Sequence, residues 1–100
     1  MARAVKWTPR AAEDLESACE YLARDSEAYA RDLASRVIRR VESLGDLSER
    51  GRRVPEVGRD DIREVFVHRY RLIYRVEADI VRILALVHGA QLFSSNRLED

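Results

Sequence analysis

Apolar residues recur at every third or fourth position through the first half of the chain. This spacing is typical of amphipathic helices, and it predicts one helix over residues 9–24 and a second over 27–45. Thr8 and Pro9 supply an N-cap residue and a proline at the first helical position. Because the link between the helices is so short, we expect them to pack antiparallel, as a hairpin.

The second half of the chain changes to a pattern typical of β-strands. Runs rich in β-branched and aromatic residues cover 63–67, 70–76 and 80–87, and the links between them are short enough for tight hairpins. We therefore predict a three-stranded antiparallel meander. A short β-compatible segment, 2–7, precedes the first helix, and glycines and a proline within 46–61 indicate an irregular surface loop.

The order of these elements predicts an α+β fold, β-α-α-β-β-β, in which a helical hairpin packs on one face of an antiparallel sheet. A chain of 100 residues has room for one domain, which we expect to span 1–100. Side chains alternate across the middle strand. One set is Tyr70, Leu72, Tyr74 and Val76, and the other is Arg71, Ile73 and Arg75. We expect the helices to cover the first set and the arginine-bearing face to stay open.

Composition narrows the classes of function. The formal net charge is zero, so no overall field favours non-specific nucleic-acid binding. Lys6 is the only lysine, and nearly all the cations are arginines. Cys19 is the only cysteine and the histidines lack metal-ligand spacing, so we expect no disulfide, metal or cofactor. Without a run typical of a signal peptide or a membrane span, we expect a cytoplasmic protein that makes no membrane contact.

Several short motifs occur in an order and spacing that together resemble one family. They are Trp7-Thr8-Pro9, Arg63-Glu64-Val65, the run from Tyr70 to Val76, and Val87-His88-Gly89-Ala90. The chain resembles the RelE/ParE superfamily, the toxins of bacterial type II toxin–antitoxin systems, over nearly its whole length. The resemblance implies a cognate antitoxin, normally encoded beside the toxin, that wraps around it in a hetero-oligomer and blocks its activity.

Two activities occur in this superfamily, and the sequence departs from the pattern of one of them. Ribonuclease members cut mRNA in the ribosome; Arg71 matches the arginine of their third strand, and Arg63 is a candidate to replace one lysine of their second strand. However, Gln91 stands where their pattern has an arginine after a glycine, and the tail has no tyrosine. We therefore favour the ParE-like branch, whose members poison DNA gyrase. The alternatives are a ribosome-dependent endoribonuclease that uses Arg71, His88 and Arg63, and an inactive relative that only binds its antitoxin.

The resemblance and the predicted open face together give two sets of candidate site residues. Outside these two sets, His68 is a further residue that the ribonuclease alternative could use, because histidine can act as an acid or a base. The candidates for binding the target are Arg63, Arg71, Arg75, His88 and Gln91. The candidates for binding the antitoxin, at the flanks of the helical hairpin, are Leu15, Leu22, Val37 and Val41.

Overall fold

A computed structural model describes residues 2–99 of the chain, with the side chain of Glu99 left out. Every predicted helix and strand is present, with boundaries that differ from the predictions by at most two residues. The elements are β1 (Ala4–Trp7), α1 (Pro9–Ala23), α2 (Glu27–Ser43), β2 (Arg52–Arg53), β3 (Ile62–Val67), β4 (Tyr70–Val76) and β5 (Ile80–His88). A short 3₁₀ helix, Ser95–Glu99, follows β5.

Both helices begin at the side-chain caps that the sequence provides. The Thr8 hydroxyl accepts a hydrogen bond from the backbone N–H of Ala11 at 3.1 Å, and Pro9 opens α1. The Ser26 hydroxyl accepts from the backbone N–H of Tyr29 at 3.1 Å and caps α2 in the same way. Each cap satisfies a donor that the first helical turn leaves without a partner. The helices form the predicted hairpin.

The five strands form one sheet in the order β1-β5-β4-β3-β2. The predicted meander is confirmed, since β3, β4 and β5 pair antiparallel in sequence. Two edge strands extend it beyond what the sequence indicated. β1 pairs with β5 in parallel, which makes the sheet mixed, and the short β2 pairs antiparallel with β3. The segment predicted to be an irregular loop therefore contributes an edge strand.

The main hydrophobic core lies between the helical hairpin and the sheet. Leu33 and Val37 of α2 meet Leu72 and Tyr74 of β4 in this layer, and all of them are fully buried. Val37 and Val41 of α2 are 0% and 3% exposed. Neither can reach a partner protein in this structure, which corrects the prediction that they line an antitoxin groove. Their helical spacing marks the buried stripe of α2.

A second hydrophobic cluster covers the opposite face of the sheet, which the sequence predicted to be open. Its members come from three strands, the loop after β2 and the tail, and they include Val54, Ile62, Ile73, Leu84, Ala85, Val87 and Phe93. Val57 and Leu98 pack against its rim. In the sequence, the apolar residues of the loop and tail are isolated among polar ones, so no periodicity shows that they meet. The expectation of a bare, arginine-bearing face is wrong for this reason.

A β-bulge between β4 and β5 helps to build this second cluster. Ile73 pairs with Ala85, but the next residue, Tyr74, pairs with Ile83, so Leu84 is an extra residue in β5. A bulge interrupts the alternation of side chains along a strand. Leu84 and Ala85 both join the second cluster, while Ile83 joins the main core.

Tyr74 connects the sheet to the segment that follows the helices. Its side chain is fully buried, and its hydroxyl oxygen accepts a hydrogen bond from the backbone N–H of Gly51 at 3.0 Å. Only glycine fits at this position, because a Cβ there would lie 2.5 Å from the carbonyl oxygen of Glu64.

We expect Tyr74→Phe to lower the free energy of unfolding by roughly 1–3 kcal/mol, because it leaves the buried N–H of Gly51 without an acceptor. The matched control is Tyr21→Phe, since Tyr21 is 63% exposed, and it should change the free energy by less than about 0.5 kcal/mol. Urea unfolding followed by circular dichroism measures both. Equal effects would contradict a role for the Tyr74 hydroxyl.

Candidate functional site

Arg71, one of the candidates for contact with the target, is buried. It lies on the sheet face opposite the helices and is 4% exposed. Its Nε donates to Glu64 at 2.6 Å, and its two terminal nitrogens donate to the two oxygens of Glu56 at 2.7 and 2.8 Å. Nη1 also donates to the backbone carbonyl of Gln91 at 3.1 Å. These four hydrogen bonds correct the prediction that Arg71 is available to a macromolecule.

Arg52 completes a cluster of four charged side chains. Its Nε donates to the second carboxylate oxygen of Glu64 at 2.6 Å. The side chain of Glu64 is fully buried, and Glu56 also accepts from the backbone N–H of Phe93 at 3.0 Å. We call Arg52, Glu56, Glu64 and Arg71 the Arg71 cluster. It holds equal numbers of positive and negative charges, as burial of ionised groups requires.

The pairing keeps both members of the central ion pair charged. Hydrogen bonds from the Arg71 guanidinium lower the pKa of Glu56 from its ordinary value of 4.5 to about 2. The Glu56 carboxylate in turn raises the pKa of Arg71 above its ordinary value. Because an opposite charge favours the ionised form of its neighbour, the pair is stable around neutral pH. Most of the donors of Arg71 are committed to these partners, which leaves little capacity for a phosphate.

Arg63 and Arg75, the other arginines in the predicted target set, also bond within the chain. Arg63 donates to the backbone carbonyls of Asp60 and Gly51, at 3.0 and 2.8 Å. Arg75 donates to Glu77 at 3.0 Å and to the backbone carbonyl of Leu98 at 3.1 Å. These arginines tie the loop and the tail to the sheet. Arg63, Arg71 and Arg75 therefore do not form the open, arginine-bearing face that the sequence predicted.

The remaining two candidates of that set are exposed. His88 ends β5, and its ring lies edge-on to Tyr70 with 5.7 Å between the centroids. Its Nδ1 accepts from the backbone N–H of Ala90 at 3.3 Å. Gln91 follows in an exposed position. The structure thus leaves His88 and Gln91 at the surface, while Arg71, which the ribonuclease alternative combines with His88, is buried in its own cluster.

His68 is engaged by α2. It occupies the turn between β3 and β4 with a positive φ of 52°, a conformation that is uncommon for residues other than glycine. Its Nε2 lies 2.9 Å from Oδ2 of Asp32, and its ring is edge-on to Tyr29, with 5.5 Å between the centroids. Hydrogen bonds from His68, and then from Arg36, lower the pKa of Asp32. These contacts assign His68 a structural part in the turn.

An apolar patch is exposed beside the Arg71 cluster. Leu92 in the tail is 80% exposed and Phe66 in β3 is 47% exposed. The guanidinium carbon of Arg52 lies 5.4 Å from the centre of the Phe66 ring, within range of a cation–π contact. Phe66 and Leu92 border a depression of about 400 Å³ with Pro55 and Gly89. We call this region the Phe66–Leu92 patch.

The two leucines predicted to contact the antitoxin lie in different environments. Leu15 is half-buried and packs against the main core. Leu22 is also half-buried and packs against the same core, but it additionally lines a pocket of about 370 Å³ beside the link between the two helices. We call it the aromatic pocket, because it is lined by Tyr21, Leu22, Tyr29, Arg69, Tyr70 and His88. Among these, Tyr21 and Tyr29 are exposed by 63% and 43%.

Sequence reasoning missed a basic groove along α2. Its arginines come from α2 and from the segment after it, and it encloses about 370 Å³. We call it the basic groove, and its lining is Arg36, Arg39, Arg40, Ser43, Arg50, Phe66, Val67 and His68. A signal was present, since Arg36, Arg39 and Arg40 recur at helical spacing and therefore share one face of α2.

Within residues 2–99, no group of histidine, cysteine, aspartate and glutamate side chains is arranged to hold a metal ion. Over the same part of the chain, neither helix has the length and apolar character needed to cross a membrane.

Comparison with known proteins identifies the family. The model of the family described as "ParE toxin of type II toxin-antitoxin system, parDE" matches residues 5–93. The chain belongs to the ParE toxin family. A solved structure described as "Chromosomal ParDE TA system from P. aeruginosa" matches with a TM-score of 0.71 and 20% sequence identity. The match covers 87% of this chain and 96% of that chain, and it shows the same fold. No curated protein is a significant match.

In this ParE-family toxin, Arg71→Leu should lower the free energy of unfolding by roughly 3–5 kcal/mol, because it leaves buried carboxylate charge uncompensated. The control is Arg82→Leu. Arg82 is 33% exposed and pairs with Glu77, which keeps Arg75 as a partner. The control should cost at most about 1 kcal/mol. Urea unfolding compares the two variants, and similar losses would show that the Arg71 cluster is not a structural centre.

Proposed function

We propose that this toxin acts by binding DNA gyrase in the cytoplasm rather than by cutting RNA. The observation that carries the proposal is the burial of Arg71 between Glu56 and Glu64. A ribonuclease needs preorganised cations that can stabilise charge developing on the phosphate, and this guanidinium is already neutralised by its partners. Gln91 adds support, because it cannot supply the positive charge found at that position in the ribonuclease pattern. Membership of the ParE family favours gyrase as the target.

The Phe66–Leu92 patch is the surface that we assign to gyrase. Protein interfaces concentrate their binding energy in a few aromatic and arginine side chains, around which the surrounding contacts exclude water. Exposed Phe66, with Arg52 against its ring, provides such a pair, and Leu92 adds exposed apolar area. His88 and Gln91 are also exposed in the segment that leads to Leu92.

Purified toxin is expected to inhibit supercoiling by gyrase and to increase the amount of cleaved DNA. Replacing both Phe66 and Leu92 by serine should raise the inhibitory concentration by at least about tenfold, the effect of losing one hot-spot contact. The control is Leu47→Ser, since Leu47 is 53% exposed and lies outside the patch.

Three results would count against gyrase poisoning. Normal supercoiling at saturating toxin would contradict it directly. New mRNA ends, detected by primer extension in cells that express the toxin, would favour the ribonuclease alternative. Harmless expression without an antitoxin would indicate an inactive relative.

We also propose that a cognate antitoxin covers the helical hairpin at the aromatic pocket and continues along the β1 edge of the sheet. An amphipathic helix binds by placing apolar anchors in a groove of this kind, and exposed Tyr21 and Tyr29 beside Leu22 provide one. β1 is an edge strand with β5 on one side only, so its outer backbone groups can accept an added strand.

Replacing both Tyr21 and Tyr29 by alanine should weaken binding of the antitoxin encoded by the neighbouring reading frame by at least about tenfold. Isothermal titration calorimetry provides the affinities. Leu47→Ala serves as the control and should bind like the unmodified toxin. Unchanged affinity in the double variant would exclude the aromatic pocket as the antitoxin site.

A further inference from the structure

The basic groove concentrates positive charge in a molecule whose net charge is zero. Arg36, Arg39 and Arg40 line one wall from α2, and Arg50 reaches the groove from the segment after the helix. None of the residues that line it is acidic. A concave surface that carries one sign of charge focuses its electric field and attracts ligands of the opposite sign.

Three of these arginines have no acidic partner within the described part of the chain, residues 2–99. Arg36 pairs with Asp32 at 2.9 Å, and Arg50 donates to the hydroxyl of Ser43 at 3.2 Å. Arg39 and Arg40 are in none of the ion pairs that the described side chains form. Their guanidinium groups are therefore available to an anion, in contrast to Arg71.

The lining suits a phosphate backbone better than an acidic peptide. Most modes of peptide recognition use apolar anchors or main-chain pairing in addition to any charge. The only apolar residues in the groove are Phe66 and Val67, and Val67 is 4% exposed. Guanidinium groups match phosphate oxygens in geometry and charge and need no further anchor.

The aromatic side chains of the groove favour a duplex over a single strand. Proteins bind single strands by stacking unpaired bases on free aromatic rings. Here Phe66 is 47% exposed but has the Arg52 guanidinium over its ring, and His68 is held by Asp32 and Tyr29. The arginines therefore provide most of the contact, and they suit the backbone that a duplex presents on its outside.

We propose that the basic groove binds the phosphates of duplex DNA, without sequence preference, in the absence of any other protein. This activity is separate from the inhibition of gyrase proposed above. Because phosphate contacts release counterions, its affinity falls steeply with salt concentration. Acidic residues elsewhere on the chain balance its total charge, so the attraction for DNA is confined to the groove.

The test is fluorescence anisotropy with an end-labelled duplex oligonucleotide at low salt. Replacing both Arg39 and Arg40 by glutamine should weaken binding by at least about tenfold and make the plot of log affinity against log salt concentration shallower by about 2. The matched control replaces Arg24 and Arg31, which lie outside the groove, by glutamine. It has the same net charge as the groove variant and should keep most of the affinity and the slope. Circular dichroism verifies that both variants fold.

Four results would overturn the proposal. The first is the absence of binding by the unmodified toxin at low salt. The second is an equal loss in the groove and control variants, which would reduce the effect to net charge. The third is tighter binding of polyglutamate than of duplex DNA at the groove. The fourth is tighter binding of single-stranded RNA than of duplex DNA at the groove. Supercoiling assays on the same variants distinguish the DNA-binding proposal from the gyrase proposal. A variant that still inhibits gyrase but no longer binds DNA would show that gyrase poisoning does not depend on the basic groove.

Discussion

The ion pair between Arg71 and Glu56 joins three separate parts of the chain. Arg71 lies in β4, Glu56 follows the edge strand β2, and the carbonyl of Gln91, which accepts from the same guanidinium, begins the tail. Glu64 connects this group to β3. Buried charges are tolerated only when they are paired and hydrogen-bonded, so the loop and the tail must lie where they do. The second hydrophobic cluster forms beneath them as a result.

This constraint determines where the proposed functional surfaces of the toxin can lie. Because the sheet face opposite the helices is covered, accessible chemistry is found at its margins. The Phe66–Leu92 patch lies beside the Arg71 cluster, the aromatic pocket lies beside the link between the two helices, and the basic groove follows α2. Each has a different character, and Phe66 lies where the basic groove and the Phe66–Leu92 patch adjoin. The net charge of zero gives no sign that apolar and basic surfaces are separated in this way.

The sequence predicted the local structure well, because local structure depends on neighbouring residues. Thr8 and Ser26 cap the helices that follow them, and alternation along β4 correctly separates Leu72 from Arg71. What covers Arg71 was not predictable in this way. Its partner Glu56 is 15 residues away in a segment without periodicity, and Phe93 is a single apolar residue in a polar tail. The bulge at Leu84 likewise depends on strand pairing and leaves no mark in the pattern of residues.

The candidate site was predicted less well for the same reason. Arginines on a strand look identical in a sequence whether they serve a ligand or a carboxylate of the same chain. The resemblance to the toxin family pointed to Arg71 as a contact for the target, whereas its burial between two carboxylates indicates a structural role. Arg39 and Arg40 on α2 were not predicted as site residues, although each shares a helix face with Arg36, because the residues opposite them come from elsewhere in the chain.

The hydrogen bonds from Arg63, Arg71 and Arg75 to main-chain carbonyls have a consequence for genetic screens. Cells that survive expression of a mutant toxin will often carry changes at these arginines, simply because the altered protein is degraded or misfolded. If survival were the only criterion, these arginines would be wrongly identified as residues that contact the target. Separating the two causes requires measuring how much intact toxin each surviving clone contains.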